Sequence, residues 1–292
     1  MEETTYAITG ATGHLGKLVI AELLTKVQPR QIVATVRDLK KAKPLLVAGV
    51  VVRQATYQDP KALAEALAGV DKVMLISSSD MSTSRFVQHR NVIDAARAAG
   101  VQSIAYASIL HAGKTSNPIA PDHEATEAYL KTSGLKYSLL RHGWYTENYT
   151  RTVETAEQSG VILTGAGDGK VSSASRADYA AADVAILLGN AEDKTYELAG
   201  DQAWNFSELV AVASKLLAKD LELQNVTSAE QIRILKGFGV DADTALLVAG
   251  IDASIAAGDL EDTGQQLSAI IGRPTTPLEM GLKKAISYFS QG

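Results

Sequence analysis

The feature that most constrains the fold is a regular alternation of short β-branched runs with longer helical patterns over the first half of the chain. Some runs, such as residues 73–76, are apolar at successive positions, which is typical of a parallel sheet covered on both faces. Right-handed crossovers then predict an α/β fold, a Rossmann-like doubly wound parallel sheet. The predicted strands are residues 6–9, 31–36, 50–54, 72–76, 103–107 and 136–141, and the helices between them are residues 15–26, 39–48, 61–68, 84–99 and 123–132.

The regular alternation of strand and helix patterns ends after residue 141, and helical patterns dominate from there on. Glycines in residues 165–169 predict turns between short strands, and residues 195–198 read as one further strand. Residues 1–150 are therefore expected to form an NAD(P)-binding domain, and residues 151–292 a smaller, mostly helical, substrate-covering lobe that partly returns to the sheet. The predicted helices of this part are residues 148–157, 177–188, 206–218, 229–236, 242–257 and 278–288.

Composition excludes several kinds of site. The 292 residues contain no Cys, which removes thiol nucleophiles, disulfides and thiolate metal centres. A formal charge of −5 without a long basic run disfavours nucleic acid as a partner. Residues 1–5 have no signal-peptide pattern and no apolar run is long enough to span a membrane, so cytoplasmic residence is expected.

A glycine-rich segment lies directly between the first strand and the first helix. Gly10 serves the tight turn, Gly13 lets backbone N–H groups approach a pyrophosphate, and Gly16 lets the helix pack close to the strand. The helix N-terminus adds partial positive charge for the phosphates. A turn that binds nothing is the alternative, but the order of strand, motif and helix favours a dinucleotide site.

The end of the second strand carries a mixed signal for the adenosine ribose. Arg37 suits a 2′-phosphate, whereas the adjacent Asp38 suits a free 2′-hydroxyl. Lys40 and Lys41 add positive charge, which favours NADPH, although a solvated loop remains open. Asp59, before Pro60, is interpreted as a helix N-cap rather than an adenine contact.

Several further segments together carry a resemblance that covers essentially the whole chain. The chain resembles the NmrA-like atypical short-chain dehydrogenases, closest to the type 2 NAD(P)H:quinone oxidoreductases and near to triphenylmethane-dye reductases. The glycine motif is shared by many dehydrogenases, whereas residues 144–149 and 176–180 are much more specific. The segments that carry the resemblance are residues 9–16, 36–37, 75–79, 88–93, 106–112, 143–149, 167–170 and 175–180.

The resemblance implies NADPH-dependent reduction of quinones without a flavin, and the residue spacing leads us to expect no metal. One departure is His142, where the closest relatives are expected to have Asn, so the donor facing the substrate is left open. The expected partner is a quinone-like small molecule, with a homodimer left open as the assembly. The residues expected to hold the dinucleotide are Gly10, Thr12, Gly13, His14, Leu15, Gly16, Arg37, Ser77, Ser78, Ser79, Ser108, Arg141, His142 and Gly143.

The residues of ordinary short-chain dehydrogenase chemistry are absent from their usual place. The only Tyr and Lys four residues apart are Tyr57 and Lys61, which straddle the turn after the third strand and are interpreted as coincidence. The helix after the fifth strand carries His123, Glu124 and Glu127 instead, and the resemblance places His123 where related proteins have a Lys. His123 is expected to contact the nicotinamide ribose and to titrate near neutral pH, and simple packing without a proton role is the alternative.

Reduction of a quinone does not require a catalytic acid. Hydride transfer gives a delocalised, weakly basic anion, which solvent can protonate. Such an enzyme works by holding the nicotinamide against the acceptor ring. Trp144 and Tyr145 follow the sixth strand and are expected to line that place, with packing between lobes as the alternative for Trp144. Ser108 lacks a hydrolase motif, and His89 and His111 form no metal-binding pattern. A dinucleotide-binding redox sensor without turnover remains the competing function.

Overall fold

The computed structural model describes residues 3–80, 82–191 and 193–289. The strands are β1 (Tyr6–Ile8), β2 (Ile32–Val36), β3 (Val51–Gln54), β4 (Lys72–Leu75), β5 (Ser103–Ile109), β6 (Lys136–His142), β7 (Val161–Thr164), β8 (Lys194–Leu198) and β9 (Glu222–Asn225). The helices are α1 (His14–Leu23), α2 (Lys43–Val47), α3 (Pro60–Leu67), α4 (Arg85–Ala98), α5 (Ala120–Thr132), α6 (Thr150–Ser159), α7 (Arg176–Leu188), α8 (Phe206–Leu217), α9 (Ser228–Gly237), α10 (Ala242–Ala256), α11 (Gln266–Ile271) and α12 (Leu278–Phe289).

A seven-stranded sheet has the order β3-β2-β1-β4-β5-β6-β8. The pairs from β3 through β6 are parallel. Strands β2 and β3 lie on one side of β1, and β4, β5 and β6 lie on the other, so the direction in which strands are added reverses between β3 and β4. This reversal is the switch point at which a doubly wound sheet places its ligands, and it confirms the predicted fold class.

The buried strands and amphipathic helices explain why the sheet forms. Every residue of β5 is buried, as expected for a central parallel strand with helices on both faces. Helix α1 buries Leu15, Val19, Ile20 and Leu23, which lie on one face of the helix. The resulting core includes the fully buried Tyr106 and Leu139.

The chain forms two compact units that interleave in sequence. The first comprises residues 1–109, 121–142 and 179–196, and the second comprises residues 110–120, 143–178 and 197–292. Residues 179–196 therefore belong with the sheet-forming unit, in keeping with the expected return of later elements to the sheet. The single functional boundary near residue 150 stays a prediction.

The second unit has its own core and a small sheet. Strands β7 and β9 form a parallel pair. An aromatic cluster supports them, in which the rings of Tyr149 and Trp204 lie 4.8 Å apart and those of Tyr149 and Phe206 lie 5.9 Å apart, all in edge-on arrangements.

The structure differs from the predicted elements at several points. The helix predicted over residues 39–48 divides into a 3-10 turn, Leu39–Ala42, and α2, because Pro44 is suited only to the first turn of a helix. Helix α5 begins at Ala120, earlier than predicted, since Pro121 is likewise tolerated at a helix start. Strand β9 was missed because its sequence is mostly polar and exposed and shows no apolar alternation.

Candidate active site

The glycine turn after β1 has the geometry that the sequence predicts. Gly10 has a φ of +59°, which favours a residue without Cβ. A Cβ on Gly16 would lie 2.9 Å from the Ala11 Cα and closer still to the Gly10 carbonyl oxygen, so helix α1 can approach the turn only with glycine there. A Cβ on Gly13 would lie 3.1 Å from the same oxygen.

The N-terminus of α1 suits a phosphate group. Gly13 is the N-cap and provides no side-chain cap, and no acidic residue lies in the first turn. Gly13 and His14 are exposed, Thr12 is partly buried, and the Leu15 side chain lies in the core. Only the backbone of Leu15 can therefore serve a ligand. A helix start without a competing carboxylate fits the pyrophosphate of a dinucleotide.

Arg37 lies just beyond β2 with a largely exposed side chain. Its guanidinium Nη1 is 3.2 Å from Asp80 Oδ2. The pKa of Asp80 is lowered by hydrogen bonds from Ser82 and Gln58 and by the charge of Arg37. Arg37 is thus a surface cation that pairs with the Asp80 carboxylate. A phosphate group can compete with this carboxylate for the guanidinium.

Two acidic residues near this edge have structural roles. Asp38 accepts a hydrogen bond from the Lys40 backbone N–H at 2.8 Å and caps the 3-10 turn. Asp59 accepts from the Ala62 N–H at 3.0 Å and caps α3, which confirms its interpretation as an N-cap. Engagement of Asp38 in the turn weakens the case for its use as a ribose ligand.

The segment after β4 contains Ser77, Ser78 and Ser79, of which Ser79 is exposed and the other two are partly buried. Ser78 is held at three atoms. Its N–H donates to His89 Nε2 at 2.9 Å, its hydroxyl donates to Gln88 Oε1 at 2.6 Å, and its carbonyl accepts from Arg85 Nε at 2.9 Å. The start of α4 therefore fixes the backbone of the predicted cofactor loop.

Ser108, Glu127 and Arg141 form one polar network in the sheet-forming unit. The Ser108 hydroxyl donates to Glu127 Oε1 at 2.6 Å, and Arg141 binds both Glu127 oxygens at 2.9 and 2.7 Å. Ser108 and Arg141 are neighbours in the register of β5 and β6, and Glu127 reaches them from α5. The buried Glu127 charge is thereby matched by a bidentate guanidinium.

His123 is buried on α5, and its Nδ1 lies 2.8 Å from the Tyr106 hydroxyl. Burial lowers the pKa of His123 to about 3, with further lowering by the charges of Arg85 and His142. The expectation that His123 titrates near neutral pH is therefore wrong. Desolvation of the imidazolium is the reason, and sequence position alone does not reveal it.

His142 ends β6 and is buried with Asp183 of α7. Its Nε2 lies 2.8 Å from Asp183 Oδ1, and its ring stacks on Tyr179 with centroids 4.6 Å apart. The imidazole is thus committed to packing α7 against the sheet. A cofactor contact by His142 stays a prediction.

The remaining predicted residues lie in the second unit. The Gly143 N–H donates to the Leu198 carbonyl at 2.7 Å. Trp144 is partly buried against the hydrophobic core of that unit. The Arg176 guanidinium lies 4.7 Å from the centre of the Tyr145 ring, a cation–π contact that orients the phenol.

Tyr57 occupies a structural position. Its hydroxyl lies 2.6 Å from Thr9 Oγ1 and donates to the Ile76 carbonyl at 2.8 Å. Burial raises the pKa of Tyr57 well above its ordinary value. A phenol of this kind is not an activated acid, which agrees with the interpretation of Tyr57 and Lys61 as coincidence.

Other chemistries have no matching arrangement in the described ranges. No three or more His, Asp or Glu side chains of residues 3–80, 82–191 and 193–289 lie together as a metal site. No helix in the same ranges is long and apolar enough to cross a membrane.

Sequence reasoning missed the partners that hold the predicted residues. Asp80 and Asp183 lie in no local motif, and the sequence alone places Glu127 only on the same helix as His123. Glu127 follows His123 by four residues, about one turn of helix. This spacing predicts that the two side chains lie on the same face of the helix.

Comparisons with known proteins show the family to which the chain belongs. A model of an NAD(P)H-binding family matches residues 10–188. Quinone oxidoreductase 2 of Escherichia coli strain K12 is 47% identical over 273 residues, which cover 93% of this chain and 95% of that protein.

Solved structures give the same result. The Escherichia coli NADPH-dependent quinone oxidoreductase in complex with NADPH has 45% identity and a TM-score of 0.92, with coverage of 98% of this chain and 100% of that chain. A triphenylmethane reductase of Citrobacter sp. in complex with NADP(H) has 39% identity and a TM-score of 0.91, with coverage of 96% and 100%. The resemblance predicted from the sequence is confirmed.

Proposed function

The chain belongs to the NAD(P)H-binding family, and from that premise we propose that it reduces quinones or similar planar electrophiles with NADPH and without a flavin. The glycine turn after β1, and the start of α1 without a side-chain cap, support the binding of a dinucleotide. The 47% identity to a quinone oxidoreductase over nearly the whole chain supports the acceptor class.

One observation carries the choice of acceptor. In the described part of the sheet-forming unit, the polar groups where β5 and α5 meet are held in forms that do not release a proton near neutral pH. His123 is neutral with a pKa of about 3, the pKa of Tyr106 is raised by burial, and the Ser108 hydroxyl is committed to Glu127. An acceptor whose reduced form needs no strong acid, such as a quinone, suits this site.

NADPH, when bound, supplies a hydride equivalent, two electrons and one proton, to the acceptor. The chain's own contribution is binding and orientation. The glycine turn and α1 serve the pyrophosphate, Arg37 serves the 2′-phosphate, and the β4–α4 segment serves the nicotinamide half. A proton from solvent completes the hydroquinone, so that one NADPH, one quinone and one proton give NADP⁺ and one hydroquinone.

The remaining features of the proposal rest on the sequence. The proposed dinucleotide contacts are those predicted above, with Trp144 and Tyr145 at the acceptor. A quinone-like small molecule, rather than nucleic acid or a membrane, is the proposed partner, and the formal charge of −5 supports the exclusion of nucleic acid. Cytoplasmic residence is proposed, and a homodimer remains open.

Anaerobic NADPH oxidation by 1,4-benzoquinone tests this function. The purified protein, without visible flavin absorbance, should oxidise NADPH only when quinone is present and form hydroquinone in equal amount. Tight NADPH binding with no quinone-dependent oxidation would instead support the redox-sensor alternative. Activity that depends on added flavin would contradict the flavin-free reaction.

A further inference from the structure

A buried chain of hydrogen bonds joins the predicted cofactor loop to His123 within the sheet-forming unit. It runs from the Ser78 backbone on the β4–α4 segment to His89 on α4, then to Tyr106 on β5, and ends at His123 on α5. His89, Tyr106 and His123 expose at most 4% of their surface. The ring centroids of Tyr106 and His123 lie 6.0 Å apart in a stacked arrangement, so the groups form one packed cluster.

The position of the proton on His89 follows from its partners. The Ser78 N–H can only donate, so His89 Nε2, 2.9 Å away, must accept. A neutral His89 then carries its proton on Nδ1, which lies 3.0 Å from Thr126 Oγ1. The Thr126 oxygen can accept a hydrogen bond from this N–H, because the hydrogen of its own hydroxyl is donated to the Asp122 carbonyl at 2.7 Å.

The proton on His123 follows in turn. The Tyr106 hydroxyl lies 3.3 Å from His89 Nδ1 and 2.8 Å from His123 Nδ1. His89 Nδ1 already bears a proton and cannot accept, so Tyr106 donates to His123 Nδ1. A neutral His123 therefore carries its proton on Nε2, and the two histidines are opposite tautomers.

The surroundings keep both rings neutral. Burial lowers the pKa of His89 to about 3, as it does for His123. Arg85 of α4 lowers both values, and each histidine has a second histidine neighbour that lowers it further, His123 for His89 and His142 for His123. Burial raises the pKa of Tyr106, and the charges of Glu127 and Asp122 raise it further, which keeps the phenol protonated as a donor.

We propose that His89 and Tyr106 are positioning residues that fix His123 as the Nε2–H tautomer, and that this N–H is a neutral hydrogen-bond donor to the nicotinamide half of the bound dinucleotide. Among the described residues, Nε2 of His123 has no hydrogen-bond partner, whereas Nδ1 is engaged. The Nε2 atom is not among the fully buried side-chain atoms that lack a partner, so it keeps some exposed surface at which a ligand can accept its hydrogen bond. The donor role rests on the proposed function, while the tautomers do not.

Nitrogen-15 NMR of the histidine-labelled protein tests the tautomers directly. The chain has only five histidines, and the variants His89→Gln and His123→Gln assign two of them. Without NADPH, between pH 6 and 8, we expect His89 protonated on Nδ1 and His123 protonated on Nε2. On addition of NADPH, the His123 Nε2 resonance should shift while the tautomer stays the same.

Tyr106→Phe removes the donor that fixes His123. We expect a mixture of His123 tautomers and an NADPH Kd raised about 5-fold to 15-fold, the range expected for one hydrogen bond. Tyr137→Phe is the matched control, because Tyr137 packs against the same core and its hydroxyl makes no hydrogen bond in the described structure. Its His123 tautomer and Kd should equal those of the wild type.

The outcomes separate the two ideas. A wild-type His123 protonated on Nδ1, or on both nitrogens at pH 7, would overturn the tautomer assignment whether or not NADPH binds. A wild-type protein that binds NADPH without any change at His123 Nε2 would overturn the donor role and leave the proposed function standing. If the wild type does not bind NADPH at all, the proposed function itself fails. The wild-type spectra decide these points even if Tyr106→Phe does not fold.

Discussion

Arg37 illustrates how one surface side chain can set cofactor preference. Its guanidinium now faces Asp80 at 3.2 Å and is otherwise open to solvent. A 2′-phosphate would present up to two charges and three acceptor oxygens to the same planar group, which forms stronger contacts with phosphate than with a single carboxylate oxygen.

Arg37→Ala should weaken NADPH binding about 10-fold to 100-fold while leaving NADH binding nearly unchanged, because only NADPH carries the 2′-phosphate. Calorimetric titration of both cofactors measures this. Arg30→Ala is the control, since Arg30 is equally exposed and pairs with Glu3 at 2.7 Å. Equal losses for the two cofactors would remove Arg37 from the 2′-phosphate site.

Gly13 has an allowed φ of −74°, so its requirement is for space rather than for backbone conformation. Gly13→Val should abolish measurable dinucleotide binding, since a branched side chain would occupy the place of the pyrophosphate and its Cβ already crowds the Gly10 oxygen at 3.1 Å.

Gly237→Val is the control for adding the same side chain, because a Cβ there meets no atom within 4 Å. Circular dichroism should show both variants folded, and only the Gly13 variant should lose NADPH in equilibrium titration. Unchanged affinity in a folded Gly13→Val protein would exclude the proposed groove.

Tyr57→Phe should change turnover by less than a factor of about three, since its protonated, hydrogen-bonded phenol is not an activated acid. Loss of its hydrogen bonds to Thr9 and Ile76 should lower the free energy of unfolding by about 1 kcal/mol. Steady-state kinetics and urea unfolding measure the two effects. A folded, NADPH-saturated but inactive variant would make Tyr57 a catalytic residue after all.

At the scale of elements, the strands and helices of the sheet-forming unit could be predicted because each is determined by its own sequence pattern. The glycine turn and Arg37 were equally accessible, since both follow a strand directly. The Ser108–Glu127–Arg141 network was not, because it depends on the register of β5 with β6 and on which face α5 turns toward them. The same holds for the pairing of His142 with Asp183, which are 41 residues apart.

The histidines between α4, β5 and α5 should make stability depend on pH. The folded-state pKa of His123 is about 3 against 6.5 for the unfolded chain, so the unfolded state binds more protons below pH 6.5. Stability from this group is complete above pH 6.5 and is lost as the pH falls toward 3.

His123→Gln removes this dependence. Between pH 7.5 and 5 the wild type should lose about 1–2 kcal/mol more unfolding free energy than the variant does, by the linkage of one histidine. Urea denaturation at the two pH values measures the loss in each protein. The contributions of other titrating groups cancel when the loss in the variant is subtracted from the loss in the wild type. Parallel losses in both proteins would mean that His123 is not held neutral in the fold.

At the scale of the whole molecule, the dinucleotide residues predicted from local sequence order lie mainly in one compact unit, whereas Trp144 and Tyr145 lie in the other. The dinucleotide half of the site depends on residues of one continuous sheet, and local sequence order predicts it. Within the second unit, Trp144 packs against the hydrophobic core and Tyr145 contacts Arg176. Such contacts join distant segments of the chain, and residue type alone does not determine them.

In the proposed function, hydride passes directly from NADPH to a quinone on a protein that holds no flavin. Anaerobic single-turnover stopped flow, with excess protein and with NADPH deuterated at one or the other C4 position, measures it most directly. Direct transfer predicts a primary isotope effect for one of the two deuterated forms, formation of hydroquinone in an amount equal to NADP⁺, and no flavin absorbance. A requirement for flavin, or bound NADPH that benzoquinone does not oxidise, would contradict it.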